Sequence, residues 1–226
     1  MTQKTILRIA AAISGISGII ILTGVIYPIV SYDSVYSKNY TKLISPLAET
    51  TNKVQGVSTT SMNENVDDTN PSTWFTGVKD FSASTVSYYT ISVPKLKIDS
   101  ATVAIGGDDL NKSLVQYPGT ALPGKRGDSV IFGHSILPIF NNPKNYISIF
   151  TMLPTLQKGD QIFVNYDGVS YTYEVETMFE VFPTDIQVLD QDTSDSFLTL
   201  VTCVPPGDPR DPKRLLVRAR VVPPTD

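Results

Sequence analysis

The chain of 226 residues contains a single cysteine, a single histidine and a single tryptophan. One cysteine excludes an intramolecular disulfide, so whatever folds here is held by a hydrophobic core. A lone histidine and a lone cysteine far apart, with no CxxC or HExxH spacing, do not make a zinc site. No acidic cluster is specific enough to assign calcium, and no cofactor is expected. The formal net charge of −4 is spread along the chain without a basic stripe, which argues against a nucleic-acid partner. No G-x-S-x-G elbow occurs, so Ser129 and Ser135 lack the usual setting of a nucleophilic serine. There is no internal repeat, coiled-coil pattern or low-complexity tract.

What is present begins with an apolar run. From Ile6 to Val30 the residues are apolar or small, with Arg8 the one charge and Pro28 near the far end, long enough to cross a hydrocarbon layer of about 30 Å. A cleavable signal peptide fits less well, because the run exceeds an h-region of roughly 7 to 15 residues and ends in VIYPIV without a small-x-small site. Lys4 and Arg8 place the N-terminus in the cytoplasm and the bulk of the chain outside, as a single-pass protein of the cell membrane. The expected organisation is a tail at 1–5, an anchor at 6–30, an extracytoplasmic stalk at 31–85 and one folded domain at 86–226. Within the stalk, Tyr32 to Val54 predicts a short helix with Val35, Leu43, Ile44 and Leu47 on its apolar face. Val57 to Thr73 is polar without period, and Trp74 and Phe75 interrupt it as an aromatic pair expected to dock on the domain.

From Tyr88 onward, short β-type runs alternate with turn residues, the pattern of an all-β sandwich or barrel. Strands are predicted at 88–94, 128–133, 160–167, 169–181, 197–202 and 215–222, with an Asp167-Gly168 hairpin turn joining the third and fourth. Ile149, Phe150, Leu153 and Leu156 recur at helical spacing and predict one short helix over 148–156.

Cys203 closes the run FLTLVTC and His134 closes DSVIFGH, so each stands where a strand gives way to a loop. A thiol beside an imidazole is the minimum equipment for covalent cysteine catalysis. Strand alternation puts Thr199, Val201 and Cys203 on one face. The prolines of 204–212 end the strand, and the chain returns in LLVRARVV. If those two strands pair antiparallel, Arg214 lies beside Cys203, where a fixed positive fork can hold a carbonyl and the oxyanion formed on it. Arg210, in the proline-rich loop, is the rival for that role. Taken singly, Cys203 also reads as a small buried hydrophobe and His134 as a loop hydrogen-bonder.

TLVTC at 199–203, the FGH ending at His134 and Arg214 opening a hydrophobic strand together resemble the signature of sortases, membrane-anchored cysteine transpeptidases of bacterial surfaces. The resemblance runs from about Tyr88 to Val222 and takes in ISVPKL at 91–96 and LQKGDQIFV at 156–164. It implies a closed eight-stranded β-barrel with one or two short helices behind the N-terminal transmembrane helix, and His134, Cys203 and Arg214 as catalytic residues. Thr202, beside the nucleophile, is a further candidate for substrate contact. The implied reaction cuts an LPxTG-like sorting signal between threonine and glycine and passes the acyl group to an amine. The implied partners are surface proteins bearing such signals and an acceptor from a cell-wall precursor or a pilin-like protein. VPPG at 204–207 is similar to the TPxG of pilin-polymerising members, and Pro71 with Trp74 resembles their lid motif, yet no second apolar span follows LLVRARVV. Anchoring and polymerisation both stay open as roles. Two other readings also remain: a cysteine hydrolase on the same residues, and a non-catalytic surface β-domain. A papain-like enzyme is disfavoured because the histidine precedes the cysteine.

Overall fold

In a computed structural model, residues 3–42, 69–74, 87–210 and 213–223 are described. Helix α1 covers Gln3–Val35, with Pro28 inside it, and its apolar side chains from Leu7 to Val30 stand largely exposed. It is long and apolar enough to cross a membrane. Among the described residues nine strands follow: β1 (Thr41–Lys42), β2 (Ser87–Val93), β3 (Ile98–Ile105), β4 (Leu114–Gln116), β5 (Gly127–Phe132), β6 (Gln161–Tyr166), β7 (Val169–Val181), β8 (Ser196–Val204) and β9 (Lys213–Val221). They join in the order β1-β7-β6-β2-β3-β4-β5-β8-β9, and a further β7–β9 pairing closes β2 to β9 into an eight-stranded barrel. Closure removes the open edges that a sheet of this size would otherwise present.

The predicted all-β barrel is thus the observed fold, and all six predicted strands are present. At the β6–β7 hairpin, Asp167 and Gly168 both take positive φ (52° and 74°), the handedness that matches strand twist in a two-residue turn. Of the eight barrel strands, two escape the pattern. β3 carries Asp99 and Ser100 directly after its first residue, Ser100 at φ 50°, which hides its alternation. β4 is three residues long and buried throughout, so it has no period to read.

The helix predicted over 148–156 is a series of tight turns ending in a 3-10 turn at Leu153–Thr155. Thr151 N donates to Ser148 O at 3.0 Å and Leu153 N to Phe150 O at 3.0 Å, both three-residue steps. Pro154 is the reason: it has no N–H, and its ring would strike the carbonyl of Phe150 in an α-helix. Ile149, Phe150, Leu153 and Leu156 nevertheless all face the core, as their spacing required.

The stretch expected as a stalk also departs from expectation where it is described. α1 continues to Val35, and residues 36–42 lie against the barrel, with β1 pairing parallel to β7 through Thr41↔Phe179. Glu180, itself buried, accepts hydrogen bonds from Tyr32 Oη (2.8 Å) and Ser37 Oγ (3.1 Å) and pairs with Lys213 Nζ at 2.9 Å. Tyr40 Oη donates to Pro154 O at 2.9 Å. Tyrosines that present an apolar body and a polar tip make a docking surface of what polarity alone reads as a tether. The remainder, 43–68 and 75–86, with Leu43, Ile44 and Leu47, lies outside the described residues.

Alternate residues of the strands feed two apolar clusters. The larger, including Ile91, Val103, Ile131, Tyr173, Leu198 and Val217, fills the barrel. The smaller, including Val130, Phe132, Val201 and Leu216, covers the opposite face of β5, β8 and β9. Near it, burial holds the Asp128 carboxyl above its ordinary range, opposed by a 2.7 Å hydrogen bond from Thr199 Oγ1 and by the charge of Arg218. A carboxyl whose pKa is higher folded than unfolded binds a proton on folding, so its ionised form costs stability as pH rises through the folded value. Asp128→Asn should therefore raise the melting temperature at neutral pH, and the gain should vanish as pH falls toward about 4, where the unfolded carboxyl also protonates. A gain that is constant with pH in thermal scans would contradict this.

Candidate active site

β8 is buried at all nine positions because both of its edges are hydrogen-bonded and both of its faces covered. Leu198 and Leu200 enter the barrel, while Val201 and Cys203 enter the outer cluster, so strand alternation places the thiol outside the barrel wall. On one edge β8 runs parallel to β5, with Phe132 opposite Val201. The chain keeps step past the last paired residues. Gly133 N donates to Val201 O at 3.1 Å, and Ser135 Oγ donates to Cys203 O at 2.7 Å. His134 is the residue between those two ties, and its own carbonyl accepts from Phe150 N at 3.0 Å. On the other edge β8 is antiparallel to β9, and Cys203 stands directly opposite Arg214.

Trp74 brings the three together. Its ring packs edge-on against Phe132 with centroids 5.4 Å apart, meets the His134 imidazole at 5.9 Å and takes the Arg214 guanidinium at 5.2 Å from its centroid. Trp74 and Cys203 belong to the same buried cluster, at 1 % and 7 % exposure, and Arg214 is 5 % exposed. The segment that carries Trp74 begins with Thr69, whose carbonyl accepts from Leu110 N at 2.8 Å. An indole between an imidazole and a guanidinium offers cation–π attraction to the arginine from within the cluster that buries the thiol.

Arg210, the rival arginine, is placed elsewhere. It points outward, 78 % exposed, and its Nε and Nη2 bind the two oxygens of buried Asp208 at 2.8 and 2.6 Å. That forked pair stitches the loop after β8 and holds the Asp208 carboxyl below its usual range. Gly207, at φ 81°, completes the loop; a Cβ there would lie 2.6 Å from Leu137 Cγ, so the loops after His134 and Cys203 pack backbone to side chain. Thr202, the substrate-contact candidate, has no exposed surface, and its hydroxyl donates to Gly133 O at 2.8 Å. It faces away from Cys203 and holds the histidine loop, because successive strand residues point to opposite faces.

The sequence reading missed Gly133 and Ser135 as supporting residues, whereas Trp74 docks on the domain as expected. Only the Gly-His-Ser run carried a legible signal, since a glycine before a chemically active residue often marks close packing. A Cβ on Gly133 would lie 2.5 Å from Phe150 Cδ2 and 2.6 Å from Leu114 Cδ2.

A thiol, an imidazole and a guanidinium at one strand end are suited to acyl transfer through a covalent intermediate. Comparison with known proteins agrees. A family model for the sortase domain matches residues 91–222. The chain belongs to the sortase family. Sortases are cysteine transpeptidases, and the closed barrel described above is their fold. The chain is 24 % identical over 132 residues to sortase A of Streptococcus agalactiae serotype III (strain NEM316), a match covering 58 % of this chain and 51 % of that one. It thus spans about half the length of this curated relative. Sortase C-1 from Actinomyces oris superposes with a TM-score of 0.53 at 30 % identity, covering 60 % of this chain and 73 % of that one. A lid mutant of sortase A from Corynebacterium diphtheriae gives 0.53 at 30 %, with 63 % and 74 % covered. A sortase D5 transpeptidase from Clostridium perfringens gives 0.50 at 26 %, with 60 % and 78 % covered. Among these sortases the chain matches members described as A, C and D, so its subfamily is not assigned.

Two outcomes follow from this packing. Gly133→Ala should destabilise the domain by about 1–3 kcal/mol through overpacking against Phe150 and Leu114, read by chemical unfolding; unchanged stability would show that the histidine loop is looser than described. Trp74→Ala should raise the rate of Cys203 alkylation in the native protein at least about tenfold by increasing the accessible fraction. An unchanged native rate, with the same rate as wild type after denaturation, would mean that the indole does not cover the thiol.

Proposed function

We propose that this sortase is a single-pass membrane enzyme that cleaves an LPxTG-like sorting signal between threonine and glycine and transfers the acyl group to an amine. The observation that carries the reading is the register at the end of β8, which sets Cys203 opposite Arg214 and beside the His134 loop. Cys203 attacks the threonine carbonyl; the tetrahedral oxyanion develops against Arg214, and His134 gives its proton to the departing glycine amine. An amine from a cell-wall precursor or from a pilin-like protein then attacks the thioester, returning the thiol. Water in its place gives slow hydrolysis. Lys4 and Arg8 hold the N-terminus in the cytoplasm, which puts the barrel and its substrates on the outer side.

Trp74 acts as a lid in this reading. One solved structure of Corynebacterium diphtheriae sortase A is that of a lid mutant, and here the indole lies on the Arg214 guanidinium and within the cluster that buries Cys203, so it stands in the way of a substrate approaching both. Substrate entry requires Trp74 to leave the outer cluster.

Full-length enzyme in detergent, given an LPxTG-containing peptide and an amine acceptor, should form the transfer product. Cys203→Ala should abolish it, Arg214→Ala should lower kcat by about 10²–10³-fold, and Arg210→Ala should leave most of the activity. Loss at Arg210 with retention at Arg214 would exchange their roles, and transfer surviving Cys203→Ala would end the covalent mechanism.

A further inference from the structure

The barrel docks on α1 too close to the membrane for a suspended domain. No charged residue occurs from 9 to 32. A hydrocarbon layer of about 30 Å consumes about 20 helical residues, so a span starting after Arg8 ends near Pro28. Tyr32 is only four residues farther, about 6 Å along the axis. Yet it is already 2 % exposed and bonded to Glu180 of the barrel. The headgroup layer is itself about 5–7 Å deep on each side. The face of the barrel around α1 therefore lies within that layer.

That face carries an unexplained apolar turn. Pro138–Phe140 forms a 3-10 turn in the loop after His134, and none of its three residues is buried. Ile139 is 63 % exposed and Phe140 61 %. The turn is next to the membrane span: Pro138, Tyr27 and Pro28 line the same mainly apolar groove of about 220 Å³, with Pro206 from the loop after Cys203. Tyr27, 68 % exposed, stands where aromatic side chains settle at a bilayer surface.

We propose that the Pro138–Phe140 turn inserts Ile139 and Phe140 into the bilayer at the headgroup–acyl boundary, forming a second membrane contact that seats the catalytic loops against the lipid surface. The occupant is phospholipid, because the patch is continuous with the exit point of a membrane-spanning helix. The groove reaches Pro206, three residues past Cys203, so the contact holds the thiol end of β8 near the membrane plane.

The test uses the full chain reconstituted in equimolar phosphatidylcholine–phosphatidylglycerol vesicles containing lipids brominated on the acyl chain near the headgroup. Wild-type fluorescence comes from buried Trp74 alone and supplies the background. Phe140→Trp should add emission that the brominated lipid quenches by more than half. Val169→Trp, at the β6–β7 hairpin tip eleven residues along β7 from Glu180 and so about 35 Å away, should add emission that is not quenched. Equal quenching of the two variants would overturn the proposal. In detergent, Ile139→Ser with Phe140→Ser should leave turnover of a short soluble peptide unchanged; a tenfold loss there without lipid quenching of Phe140→Trp would reassign the turn to substrate contact. The quenching needs no catalysis, so its failure would leave the transpeptidase reading standing.

Discussion

The site rests on one strand held in register from both sides. β8 is bonded in parallel to β5 over six residue pairs and antiparallel to β9 over eight, and its side chains feed both apolar clusters. A slip of one residue would turn Leu198 and Leu200 out of the barrel and Cys203 into it, at the cost of burial on both faces. Core packing therefore fixes which residue ends the strand facing outward. Everything chemical is appended to that choice: the histidine loop is tied to the β8 backbone through Gly133 and Ser135, and the arginine is the residue across the ladder. A mobile loop could not hold three groups on one carbonyl without ordering itself first.

Around this strand end the chain wraps two segments that composition alone assigns to a tether. One carries Trp74 onto the thiol face, and the other brings Tyr32, Ser37 and Tyr40 onto the opposite edge of the β7–β9 pair. Glu180 links the second segment to β9, since its partner Lys213 precedes Arg214. Anchor, barrel wall and arginine thus form one packed unit.

Much of this was legible in the residues, and the failures have causes. Alternation along FLTLVTC and the prolines after it located the thiol at a strand end, and the returning LLVRARVV located Arg214 opposite. The all-β class was legible because six strands alternate or are bounded by turns, and the closed barrel came from the resemblance to sortases. β3 and β4 were not, because a left-handed Ser100 breaks one and the other is too short to show a period. The helix expected over 148–156 failed on Pro154, a local veto that periodicity does not weigh. Thr202 is turned to Gly133 and away from the thiol, which adjacency in sequence does not reveal, because neighbours on a strand face opposite ways. The docking tyrosines were invisible because their partners, Glu180 and Pro154, are more than a hundred residues away.

The most direct measurement is peptide mapping by mass spectrometry of full-length enzyme quenched during turnover of an LPxTG-containing peptide without added amine. The account predicts a thioester adduct carrying the peptide up to its threonine, located on the tryptic fragment that contains Cys203 and released by an amine. An adduct on any other residue, or steady cleavage with no adduct on Cys203, would contradict it.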